Sequence, residues 1–317
     1  EFYKGRCATE LLGGLLALCQ AIQTAALPGV QVDVFTSCVF PVTGAETLQP
    51  THAALVGPCL SAPAEMKGLG MRLVDLDEAA AAMPDQALLA DLAVGAPAGN
   101  SEIDSRMTAR RAGQWWGRGY QLLADAAAPE NVLRLRDGGV YLLSGGFGGV
   151  GLAIAGVLTD RLERPVLALL GRSELPPEQE WNRWIAEHGP LDATSQRLQA
   201  VRELQDRGAE VVPLVADVTD RVAVAQAVAG LRKRFGAIHG IVHAAGLPAS
   251  GAIATLDATV PSLVMDVKID GTRALLTACA EQTPDFVLLC SSRTAVVGGP
   301  GQCDYVAANC CLDALAQ

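Results

Sequence analysis

Residues 144–151 read SGGFGGVG and follow the apolar run VYLL directly, with a helical pattern beginning at their end. A glycine turn between a strand and a helix suits a pyrophosphate, because backbone N–H groups and the helix dipole then face the anion. Gly145 and Gly146 allow the tight turn, and Gly148 lets the backbone approach the phosphates. Gly149 and Gly151 let the helix start close to the sheet, with Ser144, Phe147 and Val150 completing the loop. The next strand ends in GRS, not in the acidic residue that an NAD ribose wants. Arg172 and Ser173 offer a guanidinium fork and a hydroxyl, which suit a 2′-phosphate, so the expected cofactor is NADPH. Further on, VADVTD sets Asp217 and Val218 at a strand end where an adenine ring fits. HAAG (His243, Ala244, Ala245, Gly246) ends another strand with small residues that leave room for the cofactor.

Those loops need a sheet to present them. The runs VYLLS, VLALLG, VVPLVAD, IHGIVHAAG and FVLLCSS are each short enough to be buried strands, and helical patterns over 149–160, 178–187, 195–208, 221–235 and 261–281 separate them. A further helix begins near Asp304. Short apolar strands alternating with helices predict a doubly wound, parallel, Rossmann-like α/β unit. Upstream, 8–27 reads as a helix, 30–37 and 71–77 as strands, with acidic and alanine-rich helix signals to about 93 and a turn-rich connection over 93–105. This half carries no glycine loop after a strand. The expected organisation is a structural subdomain over 1–137, a degenerate Rossmann-like copy without cofactor, and a catalytic subdomain over 138–317.

Composition narrows the partners. The net charge of −10 over 317 residues argues against nucleic acid and acidic membrane surfaces. The uncharged run 138–159 is long enough to span a bilayer, but its eight glycines make a poor helix. Nine cysteines form no CxxC pair and read as buried free thiols of a cytoplasmic protein. His239 and His243 lack a third ligand at metal spacing, so no metal is expected. A hydrolase is not expected either, because SGGFG holds no nucleophile elbow.

The stretch CSSRTAVVGGPGQCDYVAAN, residues 290–309, resembles the active site of short-chain dehydrogenases: two serines end an apolar run and Tyr305 follows Ser292 by thirteen residues. Most such enzymes carry lysine four residues after the tyrosine, and here that residue is Asn309. The chain has four lysines, and Lys4, Lys67 and Lys233 lie in a first turn, a turn-like stretch and a charged helix end. Lys268, in VMDVKIDGTRALL, sits on a mostly apolar helix before the strand that leads to the serines. Residues 139–317 resemble the ketoreductase domain of a modular polyketide synthase, in which lysine and asparagine exchange places. GRSELPP, ADVTD, IHGIVHAAG, KIDGT and GQCDYVAANCCLDALA carry that likeness, and LLGGLLALCQAI, VQVDVFTS, MRLVDLDEA and SRMTARRAGQWWGRGYQLL resemble the later part of the family's structural copy.

The resemblance implies a catalytic set of Lys268, Ser292, Tyr305 and Asn309. The implied reaction is NADPH-dependent reduction of a β-ketoacyl thioester on an acyl carrier protein, beside neighbouring domains of a synthase. Ser292 and Tyr305 would bind the carbonyl oxygen, Tyr305 would give the proton, Lys268 would lower its pKa, and Asn309 would orient Lys268 or a relay water. Ser291 is the competing serine. The chain is also expected to begin midway through the structural copy and to stop before a lid helix and a last strand. LPASG at 247–251 replaces the LDD motif, and Val297 stands where members of opposite product hand carry tryptophan, so no hand is assigned. Two other readings remain: a redox-inactive or epimerising NADPH-binding module, and a free-standing carbonyl reductase.

Overall fold

Residues 8–82, 86, 90, 103–122, 134–257 and 263–317 are described by the computed structural model of the chain. The strands are β1 (Val30–Ser37), β2 (Leu69–Leu76), β3 (Ile103–Arg111), β4 (Gln114–Gly119), β5 (Val140–Ser144), β6 (Val166–Gly171), β7 (Glu210–Val215), β8 (Gly240–His243) and β9 (Phe286–Leu289). One sheet has the order β1-β2-β3-β4 and the other β7-β6-β5-β8-β9. Chain order does not divide the protein at residue 137. One compact unit takes Glu1–Ala126 with Leu247–Asp266 and Ser291–Gln317, and the other takes Ala127–Gly246 with Val267–Cys290.

In the second unit every strand pair is parallel. The helix Gly149–Arg161 crosses from β5 to β6, Trp181–His188 and Ala193–Asp206 from β6 to β7, and Arg221–Phe235 from β7 to β8. Leu142, Ala168, Leu170 and Ile241 meet Val224, Val228 and Leu231 on one face. Tyr141, Leu143, Leu167, Leu169 and Val242 meet Ala155, Leu158 and Leu204 on the other. Alternate residues therefore bury opposite faces, which is why the strands read as unbroken apolar runs. Each fully buried leucine here contributes on the order of 1.5–3 kcal/mol. Asp192 and Asp220 cap their helices by accepting from Ser195 N and from Val222 N and Ala223 N, and Arg232, Lys233 and Arg234 close the helix Arg221–Phe235 at its negative end.

In the first unit β1, β2 and β3 are parallel and β4 returns antiparallel to β3. Ile103–Ser105, expected in a connection, already belong to β3. The rest of that connection and the helix signals over 91–93 lie outside the described residues. The β3–β4 hairpin carries arginines that hide its pattern, and Arg111 among them is buried. Its guanidinium donates to Asp75 Oδ2 at 2.6 Å, to Glu46 Oε1 at 3.0 Å, and to the carbonyls of Asp75 and Phe40. Removing one partner of such a buried set costs about 3–5 kcal/mol.

No element is expected between 38 and 70 apart from the edges of β1 and β2, yet a 3-10 turn at His52–Leu55 leads into the helix Val56–Glu65. Pro58 sits in its first turn, where no amide is needed, and Pro63 lies within it near its end. This helix packs against the helix Cys303–Leu315. A Cβ on Gly57 would come within 2.4 Å of Cys303 O and 2.7 Å of Ala307 Cβ, so only glycine allows this close approach. Arg118 of β4 donates to Val296 O at 3.0 Å, tying the hairpin to the short helix Thr294–Val297. No described helix is long and apolar enough to cross a membrane.

Candidate active site

The glycine loop of the second unit is built by close approach. Gly145 has φ +66°, and a Cβ there would lie 2.6 Å from Ala245 N. One on Gly146 would meet Leu143 O at 2.8 Å, and one on Gly151 would meet Gly145 O at 2.4 Å. These glycines are required by the fold itself. Gly149 is different, because a Cβ on it meets nothing within 4 Å. Its expected part in helix–sheet packing is therefore corrected: it faces open space at the helix start. Gly148 is the extended N-cap, with no side-chain cap, and Gly148, Gly149 and Val150 are exposed. First-turn amides without a side-chain cap at an exposed helix start are what a pyrophosphate requires.

Phe147 lies against Gly171, whose Cβ would be 2.9 Å from the ring, and so covers the end of β6 beside the exposed Arg172 and Ser173. Asp217 accepts from Thr219 N at 2.9 Å and Thr219 Oγ1 at 2.7 Å. These bonds, the amide first, with Arg172 adding its charge, hold the carboxyl below the usual range. Val218 is buried, and its methyls lie 2.9 Å and 3.2 Å from where a Gly271 Cβ would be. Its side chain is committed to the core.

Two residues of the expected cofactor site have side chains turned toward each other and away from solvent. Ser144 and His243 are fully buried and face each other across β5 and β8, with Oγ 2.6 Å from Nδ1. His243 Nε2 lies 3.1 Å from Val267 O. A carbonyl only accepts, so Nε2 carries the proton and Nδ1 accepts from Ser144. His239 accepts from Val140 N at 2.9 Å, so the two histidines fasten β8 to both ends of β5. Burial, followed by the charge of Lys268, pushes His243 down to about 4. Unfolded, the ring titrates near 6.5. Folding stability is thus unaffected by this group above that value and falls as pH drops from about 6.5 to about 4, by about 3 kcal/mol in all. Melting curves across that window should slope more steeply for the wild type than for His243→Gln; equal slopes would contradict the neutral buried ring.

Lys268 is 3% exposed, so it does not snorkel to solvent. Its side chain passes Gly246, where a Cβ would lie 3.2 Å from Cε, and Nζ donates to Cys290 O at 2.6 Å. Burial raises the Cys290 thiol, with Lys268 opposing. Ala244 and Ala245 close the strand end, and Ala245 touches the glycine turn.

The first unit carries the hydroxyls. Ser292 Oγ accepts from Thr294 N at 3.2 Å and Thr294 Oγ1 at 3.0 Å. Both lone pairs are used, so its own proton is left to donate. Thr294, which sets this, had no signal in the sequence beyond its spacing of two. Ser291 is exposed and Ser292 half-buried. Tyr305, half-buried, and the fully buried Asn309 lie one turn apart on the helix Cys303–Leu315. Asn309 Nδ2 donates to Tyr305 O at 2.8 Å, while its buried Oδ1 has no partner among the described residues. A buried acceptor of this kind calls for a donor such as water or an ammonium. Burial pushes the nearby Cys310 up to about 12 and Cys19 to about 11, which makes them inert thiols. Among the described residues no group of three His, Cys, Asp or Glu could hold a metal.

A parallel sheet in this strand order, with a glycine turn after its central strand, defines a nucleotide-binding protein of the Rossmann-like class. Residues 139–317 match the KR domain family, and the chain belongs to it: it is a ketoreductase domain of the modular polyketide synthase type. It is 38% identical over 205 residues to a phenolphthiocerol/phthiocerol polyketide synthase of Mycobacterium tuberculosis, covering 62% of this chain and 11% of that protein. The chain thus spans about a tenth of that relative. In fold it is similar to a ketoreductase domain from the bacillaene assembly line, with a TM-score of 0.76 at 24% identity over 99% of this chain and 68% of that one. An A1-type ketoreductase gives 0.74 at 27% identity over 96% and 59%.

Proposed function

We propose that the chain catalyses NADPH-dependent reduction of a β-ketoacyl thioester, carried by an acyl carrier protein, to the β-hydroxyacyl thioester during polyketide elongation. The observation that carries this reading is Lys268, a cation only 3% exposed on the helix Leu263–Ala278. A buried lysine is expensive unless its charge is used. The glycine loop fits the cofactor, with the helix start at Gly149 and Val150 taking the pyrophosphate and Arg172 with Ser173 taking the 2′-phosphate. Bound there, NADPH supplies a hydride for the β-carbonyl carbon. The Ser292 and Tyr305 hydroxyls donate to the carbonyl oxygen as negative charge grows on it. Tyr305 then gives its proton, Lys268 favours the resulting phenolate, and Asn309 Oδ1 holds a water of the relay.

The test is oxidation of NADPH and of NADH, followed in parallel with a β-ketoacyl thioester mimic. Turnover with NADPH well above that with NADH is expected, and Arg172→Ala should reduce the preference by about ten-fold or more, the worth of a charge-assisted phosphate contact. Tight NADPH binding without turnover would favour a redox-inactive module instead. An unchanged preference in Arg172→Ala would remove this residue from the cofactor site.

A further inference from the structure

Within the first unit, the helix Val56–Glu65 does more than pack. Its last residue, Glu65, reaches two loops that are far apart in the chain: Oε2 accepts from Ile253 N at 2.7 Å and Oε1 from Gly301 N at 2.9 Å. The segment 247–256 has only a single 3-10 turn, Ile253–Thr255, so side chains must fix it. The turn 298–302 reads GGPGQ, with Gly298 at φ +72° and Gly301 at φ +70°, and it leads straight into the helix of Tyr305. Two left-handed glycines leave such a turn with much conformational freedom. Asp304, in the first turn of the helix Cys303–Leu315 that follows this turn, ties the segment 247–256 to that helix. Its carboxylate accepts from Ser250 N at 3.2 Å, from the Ser250 hydroxyl, and from Tyr305 N at 2.8 Å.

We propose that Glu65, seconded by Asp304, is a positioning and specificity-determining residue of the reductase: it sets where Tyr305 stands relative to the segment 247–256. The proposal rests on the ketoreductase reading. A carboxylate suits this place because both of its oxygens accept and both partners are backbone donors, giving charge-assisted bonds on two loops at once. Glutamine at 65 keeps the shape but turns an NH2 toward one of those amides, so one tie is lost and donor faces donor. Release of either loop shifts the proton donor against the substrate, and a displacement of about 1 Å is enough to cost on the order of 100-fold in rate. The same freedom lets the ketone present its other face.

The experiment compares wild type, Glu65→Gln and Ser250→Ala with a racemic 2-methyl-3-oxoacyl N-acetylcysteamine thioester, reading kcat, KM, NADPH affinity and the diastereomer ratio of the alcohol. For Glu65→Gln the expected result is a kcat lower by about ten- to 100-fold, NADPH affinity within about two-fold, and a ratio moved toward the minor alcohol. Ser250→Ala, which removes only the hydroxyl tie and keeps the fold, should move the ratio in the same direction by less. If the wild type reduces the thioester and both variants keep its kcat and ratio, this assignment alone is overturned. If the wild type binds NADPH and reduces nothing, the ketoreductase reading and this assignment are overturned together.

Discussion

Tyr305→Phe is expected to lower kcat for β-ketoacyl thioester reduction by about 100- to 10,000-fold, the usual worth of a placed general acid, and to leave NADPH affinity within about two-fold. Tyr305 is a half-buried residue of the helix Cys303–Leu315, whose contact with Gly57 is made by Cys303 and Ala307, so removing one oxygen leaves that packing intact. The lost atom is the proton donor in the proposed chemistry. Ser292, with both lone pairs taken by Thr294, still polarises the carbonyl but has no buried cation assigned to it. Single-turnover oxidation of bound NADPH separates the two quantities. Weak cofactor binding in this variant, or retained turnover, would mean that the phenol has another role.

The glycine loop gives the second large effect. In Gly145→Ala a left-handed residue acquires a Cβ that lies 2.6 Å from Ala245 N. The backbone conformation alone costs about 1–2 kcal/mol, and the contact is with main chain that cannot rotate away. Melting should fall by about 5 °C or more, and NADPH affinity by about ten-fold or more as the turn opens. Gly149→Ala is the control within the same loop, since its Cβ meets nothing within 4 Å. Its melting temperature should match the wild type while its NADPH affinity falls, because the methyl occupies space left for a ligand. Equal affinity in both variants and wild type would move the pyrophosphate elsewhere.

The second unit was legible in the sequence because its strands are buried on both faces, so that apolar runs and helical patterns alternate without interruption. The glycine loop was legible because its glycines are contiguous between a strand and a helix, whereas Lys268, whose contacts Gly246 and Cys290 lie 22 residues away on either side, was legible only through the resemblance. The first unit obscured its plan. Arg106, Arg110, Arg111 and Arg118 disguise the β3–β4 hairpin, and one of these charges is buried only because Asp75 and Glu46 wait for it from other parts of the chain. Pro58 and Pro63 disguise the helix Val56–Glu65. The bond between Ser144 and His243 was not legible because it depends on a strand register that no local pattern reveals. Glu65 acts across 188 and 236 residues, and such a contact leaves no trace in a window of any ordinary length.

The way the chain is shared between its two units bears on its birth. The unit that holds β1–β4 also contains Leu247–Asp266 and Ser291–Gln317, and the helix Cys303–Leu315 is the one that covers Val56–Glu65. As the polypeptide emerges from a ribosome, the sheet β1–β4 is present early, but the surface meant for that helix stays uncovered until residues 303–315 have been made. The second unit, interrupted once, can assemble four of its five strands by Gly246 and takes in β9 after the excursion. The segment that carries the residue proposed to give the proton is thus made after the whole of the second unit.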